Sequence, residues 1–316
     1  MIHYGMESTP IAIGRRAKPV AMETVPDIVL DGLVAVPFRV RRPAIQSVPF
    51  VFASPHSGCA YPASFVAQSR LDIPMLRRSE DAFVDALFAS AVGMGAPLIA
   101  ANFPRAYLDA NRAPAELDET MFAGSIGRTA DAASPRVQAG LGVIPRIVRE
   151  GADIYRARLS PVEAGFRLDA FHTPYHAALQ ALADATVEKF GMAIVVDCHS
   201  MPWSPSLADI VLGDRHGLAA TPQLAAAAEA AFVRQGFSVA RNVPYAGGYT
   251  TERHGRPARR RFALQIELNR ALYLDEDRVV PAPGFDTVQK RIAASLRGLL
   301  DAAGDWISQR RGIAAE

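Results

Sequence analysis

MAIVVDCHS, residues 192–200, opens with five apolar residues in succession and closes on four that are polar or titratable. A strand with one wet face alternates apolar and polar positions. A run that is apolar throughout is buried on both faces, as strands of a parallel sheet are when helices cover both sides. Open α/β sheets put their chemistry at the carboxyl ends of such strands, and this one ends in Asp197-Cys198-His199.

Outward from that run, the same pattern recurs. In VPFVFASPHSGCAYP (48–62), Val48, Phe50, Val51 and Phe52 read as a short buried strand that Ser54-Pro55-His56-Ser57-Gly58 breaks. FALQIELNR (262–270) is a further strand and contains Glu267, and ADIVLGD (208–214) is another. PLIAANF (97–103) and RAYLDA (105–110) are expected as short strands on either side of Pro104. Between them, Leu76, Phe83, Val84, Leu87, Phe88 and Val92 keep helical spacing, with Gly93 and Gly95 closing the helix. Helices are also predicted from about Ser160 to Phe190, with Pro161 in the first turn, over 221–236 up to Gly236, and from Phe285 to about Arg311. Strands alternating with helices predict an α/β sandwich. Residues 1–45, proline-punctuated and without a sustained period, are expected as an N-terminal arm or edge extension, and 46–316 as a single α/β domain. Residues 113–150, rich in Pro, Gly, Ala and Ser, form a long excursion, and such loops often cover active sites.

Bulk composition excludes several function classes. The 316 residues, half of them hydrophobic, can bury a sizeable core. A balance of 34 basic against 32 acidic residues gives a net charge of +2, no footprint for a nucleic-acid binder. Nothing approaches the ~18 consecutive apolar residues of a membrane span, and no membrane partner is expected. Two cysteines, Cys59 and Cys198, make no disulfide framework, and the first thirty residues hold no signal-peptide pattern, so the expected location is the cytoplasm. The oligomeric state is not written in the sequence.

His56, His199 and Glu267 thus stand at or near the ends of three separate strands. Two histidines and a carboxylate make a catalytic zinc shell, with a fourth position left for water. The carboxylate is sought in Glu80 or Asp81 at the start of the helix after His56, with Asp81 preferred. Acidic residues in a first helical turn also suit the helix dipole without any metal.

SPHSG, SEDAFVDALF, FPRAYLDANRAPAELD, VVDCHSMP, PYAGGYTTERHGRP and LQIELNRALYLDE, spread in order over about residues 48–276, resemble the successive blocks of the N-formylglutamate amidohydrolases. That family is related in fold to the zinc carboxypeptidases and aspartoacylases. The resemblance implies a three-layer α/β sandwich with a mixed central sheet of the phosphorylase/hydrolase-like, zinc carboxypeptidase-like kind. It implies one zinc ion per chain, other divalent metals being compatible with the same ligand types. The implied reaction is hydrolysis of N-formyl-L-glutamate to formate and L-glutamate in histidine degradation. A related zinc hydrolase acting on another N-acyl amino acid or a small peptide is the alternative. Residue by residue, His56 and His199 match the histidine ligands, and Asp81 or Glu80 the acidic position between them. Glu267 sits where the distant zinc peptidases keep their general base. Asp109-Ala110-Asn111-Arg112 looks like the Asp-x-Asn-Arg element with which aspartoacylases grip an acidic substrate. There is no His-x-x-Glu, because Cys59 occupies that offset from His56. Arg112 or Arg105 would neutralise the developing oxyanion, and Arg105, Asn111 and Arg112 would bind the carboxylates of a small acidic N-acyl amino acid.

Other signals are weaker. In AGGYTTERHGRP, Gly247-Gly248 permits close backbone approach or positive φ, and the loop is expected to meet substrate through Gly247, Thr250 and His254. His172 and His176 share the spacing of HExxH, but Thr173 replaces its glutamate and Pro174 disturbs the helix; a packing or hydrogen-bonding role is expected. A nucleophilic Cys-His pair is the remaining enzyme reading, although by alternation Cys198 and His199 point to different faces.

Overall fold

A computed structural model of the chain describes residues 26–148 and 151–313. The apolar run at 193–196 lies at the centre of a mixed sheet. Its strand, β4 (Ala193–Met201), is buried at every position, as are β2 (Phe50–Ser54) and β3 (Leu98–Ala101). Among the described residues the order is β1-β3-β2-β4-β7-β5-β6, with β1 Phe38–Arg41, β5 Ile210–Gly213, β6 Val239–Arg241 and β7 Arg261–Asn269. Strands β3, β2, β4 and β7 run parallel, while β1 pairs antiparallel with β3 and β5 with β7. Four strands therefore end at one edge of the sheet. The chain leaves β2 towards the β1 edge and leaves β4 towards the β6 edge, which opens a crevice between them, where open sheets bind ligands.

Two apolar layers cover the sheet. One face carries Val51, Ala53, Val195 and Ala263 against Phe171, Tyr175, Leu179 and Leu182 of the helical stretch 161–190. The other carries Phe52, Val196, Cys198, Leu264 and Ile266 against Leu87, Phe232, Ile292 and Leu296 from helices Val84–Leu87, Pro222–Val233 and Phe285–Ile313. This is the α/β three-layer sandwich with a mixed sheet expected above. No helix among the described residues is long and apolar enough to cross a membrane.

Two local expectations change, in the helix over 76–92 and in residues 105–110. Of the N-terminal arm, residues 1–25 lie outside the described residues; the part that follows forms the helix Ile28–Ala35 and the edge strand β1. The helix expected over 76–92 is broken into Ile73–Arg77, Val84–Leu87 and Ser90–Gly93. Its period survives, but Phe83 takes a left-handed φ of 64° and the Asp81 N–H donates to His56 O at 3.0 Å. Tertiary hydrogen bonds there replace those of the helix. Residues 105–110 form turns instead of a strand, with the Tyr107 N–H on Pro104 O and the Asp109 N–H on Val143 O. The proline starts a helical turn, and the sheet ends before it.

Gly58 shows how tightly the turn after β2 meets the segment after β3. A Cβ at this position would lie 2.2 Å from Phe103 O and 2.6 Å from Asn102 O, both backbone atoms. Gly58→Ala is expected to force these segments apart and destabilise the protein by about 1–3 kcal/mol, the usual cost of overpacking. A lowered urea midpoint with an unchanged slope is the measurement that checks it.

Candidate active site

Strand alternation divides one face of the sheet into two halves. Val195 and Ala263 lie in the apolar layer; further along the same face stand Asp197 and His199 on β4 and Gln265 and Glu267 on β7. His199 and Glu267 are paired across the ladder. From β2, the SPHSG turn brings in His56, and Ser57 Oγ donates to Asp81 O, fastening this turn to the segment that carries Asp81.

His56, Asp81 and His199 are all buried and their ligand atoms lie within 4.8 Å of one another. Nδ1 of His56 and Nδ1 of His199 approach the same oxygen, Asp81 Oδ2, at 3.1 and 3.0 Å. The other oxygen, Oδ1, accepts from Arg270 Nη2 at 3.0 Å and from Ser200 Oγ at 3.2 Å. Behind each imidazole stands a further buried carboxylate. Asp109 Oδ1 is 2.7 Å from His56 Nε2, and Asp197 Oδ2 is 3.0 Å from His199 Nε2. Burial alone would raise Asp81, but its hydrogen bonds to His199 and His56 hold it well below the usual carboxylate range. Burial would lower His199, and Asp197 and Asp81 outweigh it, so the ring is held well above its ordinary value.

This donor set fits a metal ion. A histidine that gives its Nε2–H to a carboxylate has a bare Nδ1, the arrangement by which outer carboxylates orient metal-binding histidines. His56 Nδ1 and His199 Nδ1 both face one anionic oxygen in a buried place already holding three aspartates, and a cation suits that place; His199 Nε2 meets Asn111 Nδ2 at 3.1 Å as well as Asp197. Imidazole and carboxylate donors suit zinc.

The cluster lines part of a cavity of about 480 Å³. Arg105, Asp109, Asn111, Arg112, Gly247, Gly248, Gln265 and Glu267 also line it. The Glu267 carboxyl is pushed up to about 7, by burial first and by Asp81 and Asp197 as well. Arg105 Nε donates to Asp109 Oδ2 at 3.0 Å, and Arg112 donates to Leu141 O and Asn111 O.

A family model for N-formylglutamate amidohydrolase matches residues 48–274. The chain belongs to this family. It is 26% identical over 272 residues to an N-formylglutamate deformylase of Pseudomonas putida and 27% identical over 276 residues to one of Pseudomonas aeruginosa. Each match covers 83% of this chain and 95% of the relative. A crystal structure of N-formylglutamate amidohydrolase from Ralstonia eutropha JMP134 is 35% identical, with a TM-score of 0.79 over 87% of this chain and 99% of that one. A structure from Agrobacterium tumefaciens, at 19% identity and a TM-score of 0.64, shares the fold. Membership makes the chain a hydrolase of amide bonds.

Against this family frame, the structure sorts the residues singled out in the sequence. Asp81 enters the cluster. Glu80 turns away: its carboxylate accepts from Tyr61 Oη at 2.7 Å and from Arg77 Nε at 3.2 Å. Gly247 lies in the cavity wall at φ 122°, and Gly248 meets Asn111 so closely that a Cβ would fall 2.4 Å from Nδ2. Thr250 and His254 are not among the residues that line the cavity. The Thr250 N–H donates to Asn111 Oδ1 at 2.8 Å, and the His254 ring packs against His176. Burial pushes the Cys198 thiol well up, against a nucleophilic role.

Gln265, Tyr245, Arg136 and Arg270 are not singled out in the sequence, and Asp197 only as part of a strand end. Two of them carried a signal, since Asp197 and Gln265 precede His199 and Glu267 by two and so share their face. Arg136 and Tyr245 reach the cavity from the long excursion and from the loop before Gly247; no local pattern marks them.

Metal analysis separates the two neighbouring acids. Asp81→Asn is expected to lose bound zinc, while Glu80→Gln keeps it. Asp109→Asn, at a residue that meets the Nε2 side of His56 and also Arg105 and the Asn111 N–H, should weaken zinc binding by about 10–100-fold. Equal zinc content in all three proteins would remove Asp81 from the ligand set.

Proposed function

We propose that the chain hydrolyses N-formyl-L-glutamate to formate and L-glutamate, with one zinc ion held by His56, Asp81 and His199. The reaction would serve histidine degradation in the cytoplasm. The reading is carried by one observation: Glu267, a carboxyl poised near neutrality, stands beside a buried His-Asp-His cluster in a cavity that also holds Arg105 and Arg112. The names of the relatives supply the substrate.

Zinc, when bound, supplies Lewis acidity and brings the pKa of a water towards neutrality. Glu267 takes the proton of the attacking water and returns it to the departing nitrogen as the amide C–N bond breaks. Gln265 Nε2 donates to Glu267 Oε1 at 2.9 Å, which turns the carboxyl and leaves Oε2 for the proton. Arg105 and Arg112 meet the two carboxylates of the substrate, and forked guanidinium geometry suits that task. One of the two also faces the oxygen that gains charge in the transition state. Asn111, buried against Gly248 and Thr250, completes the grip.

The test is formate release from N-formyl-L-glutamate, with zinc measured before and after chelation. Chelator-sensitive turnover with about one zinc per chain is expected. Bound zinc without formate release would move the substrate to another N-acyl amino acid or a small peptide. Glu267→Gln should keep zinc while kcat falls about 10²–10⁴-fold. Since the base acts as the carboxylate, kcat/KM should rise with pH through a value between 4.5, the ordinary position, and about 7, where burial holds it in the absence of a cation. A bound dication favours the charged form and draws the value down. Loss of this limb in Glu267→Gln checks the assignment.

A further inference from the structure

His172, His176 and His254 are buried, lie outside the cavity lining, and take no part in the chemistry above. His172 and His176 are one helical turn apart, with ring centroids 4.6 Å from each other. His172 Nε2 is 2.9 Å from Arg112 O, and His176 Nε2 is 2.7 Å from Ala110 O. The two imidazoles therefore bracket Asn111, holding the carbonyl on either side of it.

The tautomers follow from the partners. A carbonyl oxygen only accepts, so both Nε2 atoms must carry the proton. In a neutral ring the other nitrogen is bare, and His176 Nδ1 then accepts from His254 Nε2 at 3.2 Å. That leaves His254 Nδ1 as a bare nitrogen, and it is indeed buried without a hydrogen-bond partner. Burial, the largest cause in each case, disfavours the charged rings, taking His172 to about 4 and His254 to about 3.

We propose that His172 and His176, backed by His254, are positioning residues that hold the Ala110–Arg112 turn so that Asn111 and Arg112 meet the substrate. The inference rests on the substrate-binding reading of that turn. The same helical stretch pins a third carbonyl, since Arg167 Nη1 donates to Tyr107 O at 3.0 Å. On the far side, His254 and Tyr249 belong to the helix Tyr249–His254, which directly follows the Gly247-Gly248 wall. The Tyr249 ring lies 5.6 Å from His172 and 5.1 Å from His176. The histidines thus tie two walls of the cavity to one helix. An apolar residue in their place would strand Ala110 O or Arg112 O without a donor.

Leucine and glutamine at the same positions separate positioning from bulk packing, because glutamine keeps an Nε2–H at similar reach. His172→Leu and His176→Leu are expected to raise KM for N-formyl-L-glutamate about tenfold, matching ~1.4 kcal/mol for a lost buried hydrogen bond. Zinc content should stay unchanged and kcat nearly so. The two glutamine variants should recover most of the loss. Folded leucine variants with wild-type KM, or glutamine variants as impaired as leucine, would overturn the proposal. Should the leucine variants not fold, ¹⁵N NMR of the wild-type imidazoles decides: three neutral Nε2–H rings at neutral pH are expected, and an Nδ1–H or charged ring at any of the three positions overturns it. The NMR result needs no substrate. A wild-type protein that releases no formate would therefore remove the N-formylglutamate reading and leave this one to be judged by the tautomers.

Discussion

The carboxylate of Asp81 lies between two imidazoles whose ring centroids are 4.8 Å apart, and side chains from several segments keep it there. A fully buried carboxylate costs several kcal/mol in lost hydration unless charged or hydrogen-bonded partners surround it. Here Arg270 and Ser200 hold one oxygen and the two histidines face the other. Arg270 is itself fixed, with Nη1 on Arg78 O and Nε on Ser200 Oγ. These partners come from the turn after β2, the broken helix behind it, and the ends of β4 and β7. No one of these segments could build the cluster alone. Packing of the parallel strands brings their carboxyl ends together, and the cost of burying the Asp81 charge without these partners disfavours any looser arrangement.

That dependence explains which features could be read from the sequence and which could not. β4 was legible because a strand buried on both faces leaves an apolar run, and β7 because Leu264, Ile266 and Leu268 alternate with Gln265 and Glu267. The ends of these strands held His199 and Glu267, and alternation by two would have added Asp197 and Gln265. The helix over 76–92 was legible in its period and illegible in its breaks. Phe83 keeps helical spacing, yet the strained turn around it is set by bonds from Asp81 to His56, 25 residues away. Choosing between Glu80 and Asp81 fails from sequence for the same reason. Both are acidic, adjacent and buried, and only the position of Tyr61 and Arg77 on one side and of the histidines on the other tells them apart. Residues 105–110 looked like a strand by composition, but Pro104 and the bond from the Asp109 N–H to Val143 O turn them, so that Asp109 backs His56.

Burial acts on every carboxylate of the site in the same sense, yet their charge states diverge. Asp81 and Asp109 are driven well below the ordinary range because imidazole and guanidinium groups face them: His56 and His199 at Asp81, Arg112, His56 and Arg105 at Asp109. Glu267 is also buried but hydrogen-bonds to the neutral amide of Gln265, and the charges of Asp81 and Asp197 add to the desolvation that raises it. His199 and Arg105 pull the other way without prevailing. On the proposed roles, a ligand and its orienter stay charged while a third carboxyl exchanges a proton near neutrality, and the neighbours chosen at one end of the sheet are what set the three apart. Gln265 is central to this, since it gives Glu267 one hydrogen bond without giving it a positive charge. An arginine or lysine in its place would fix the carboxyl as an anion, and with it the proton-carrying role proposed for Glu267 would be lost.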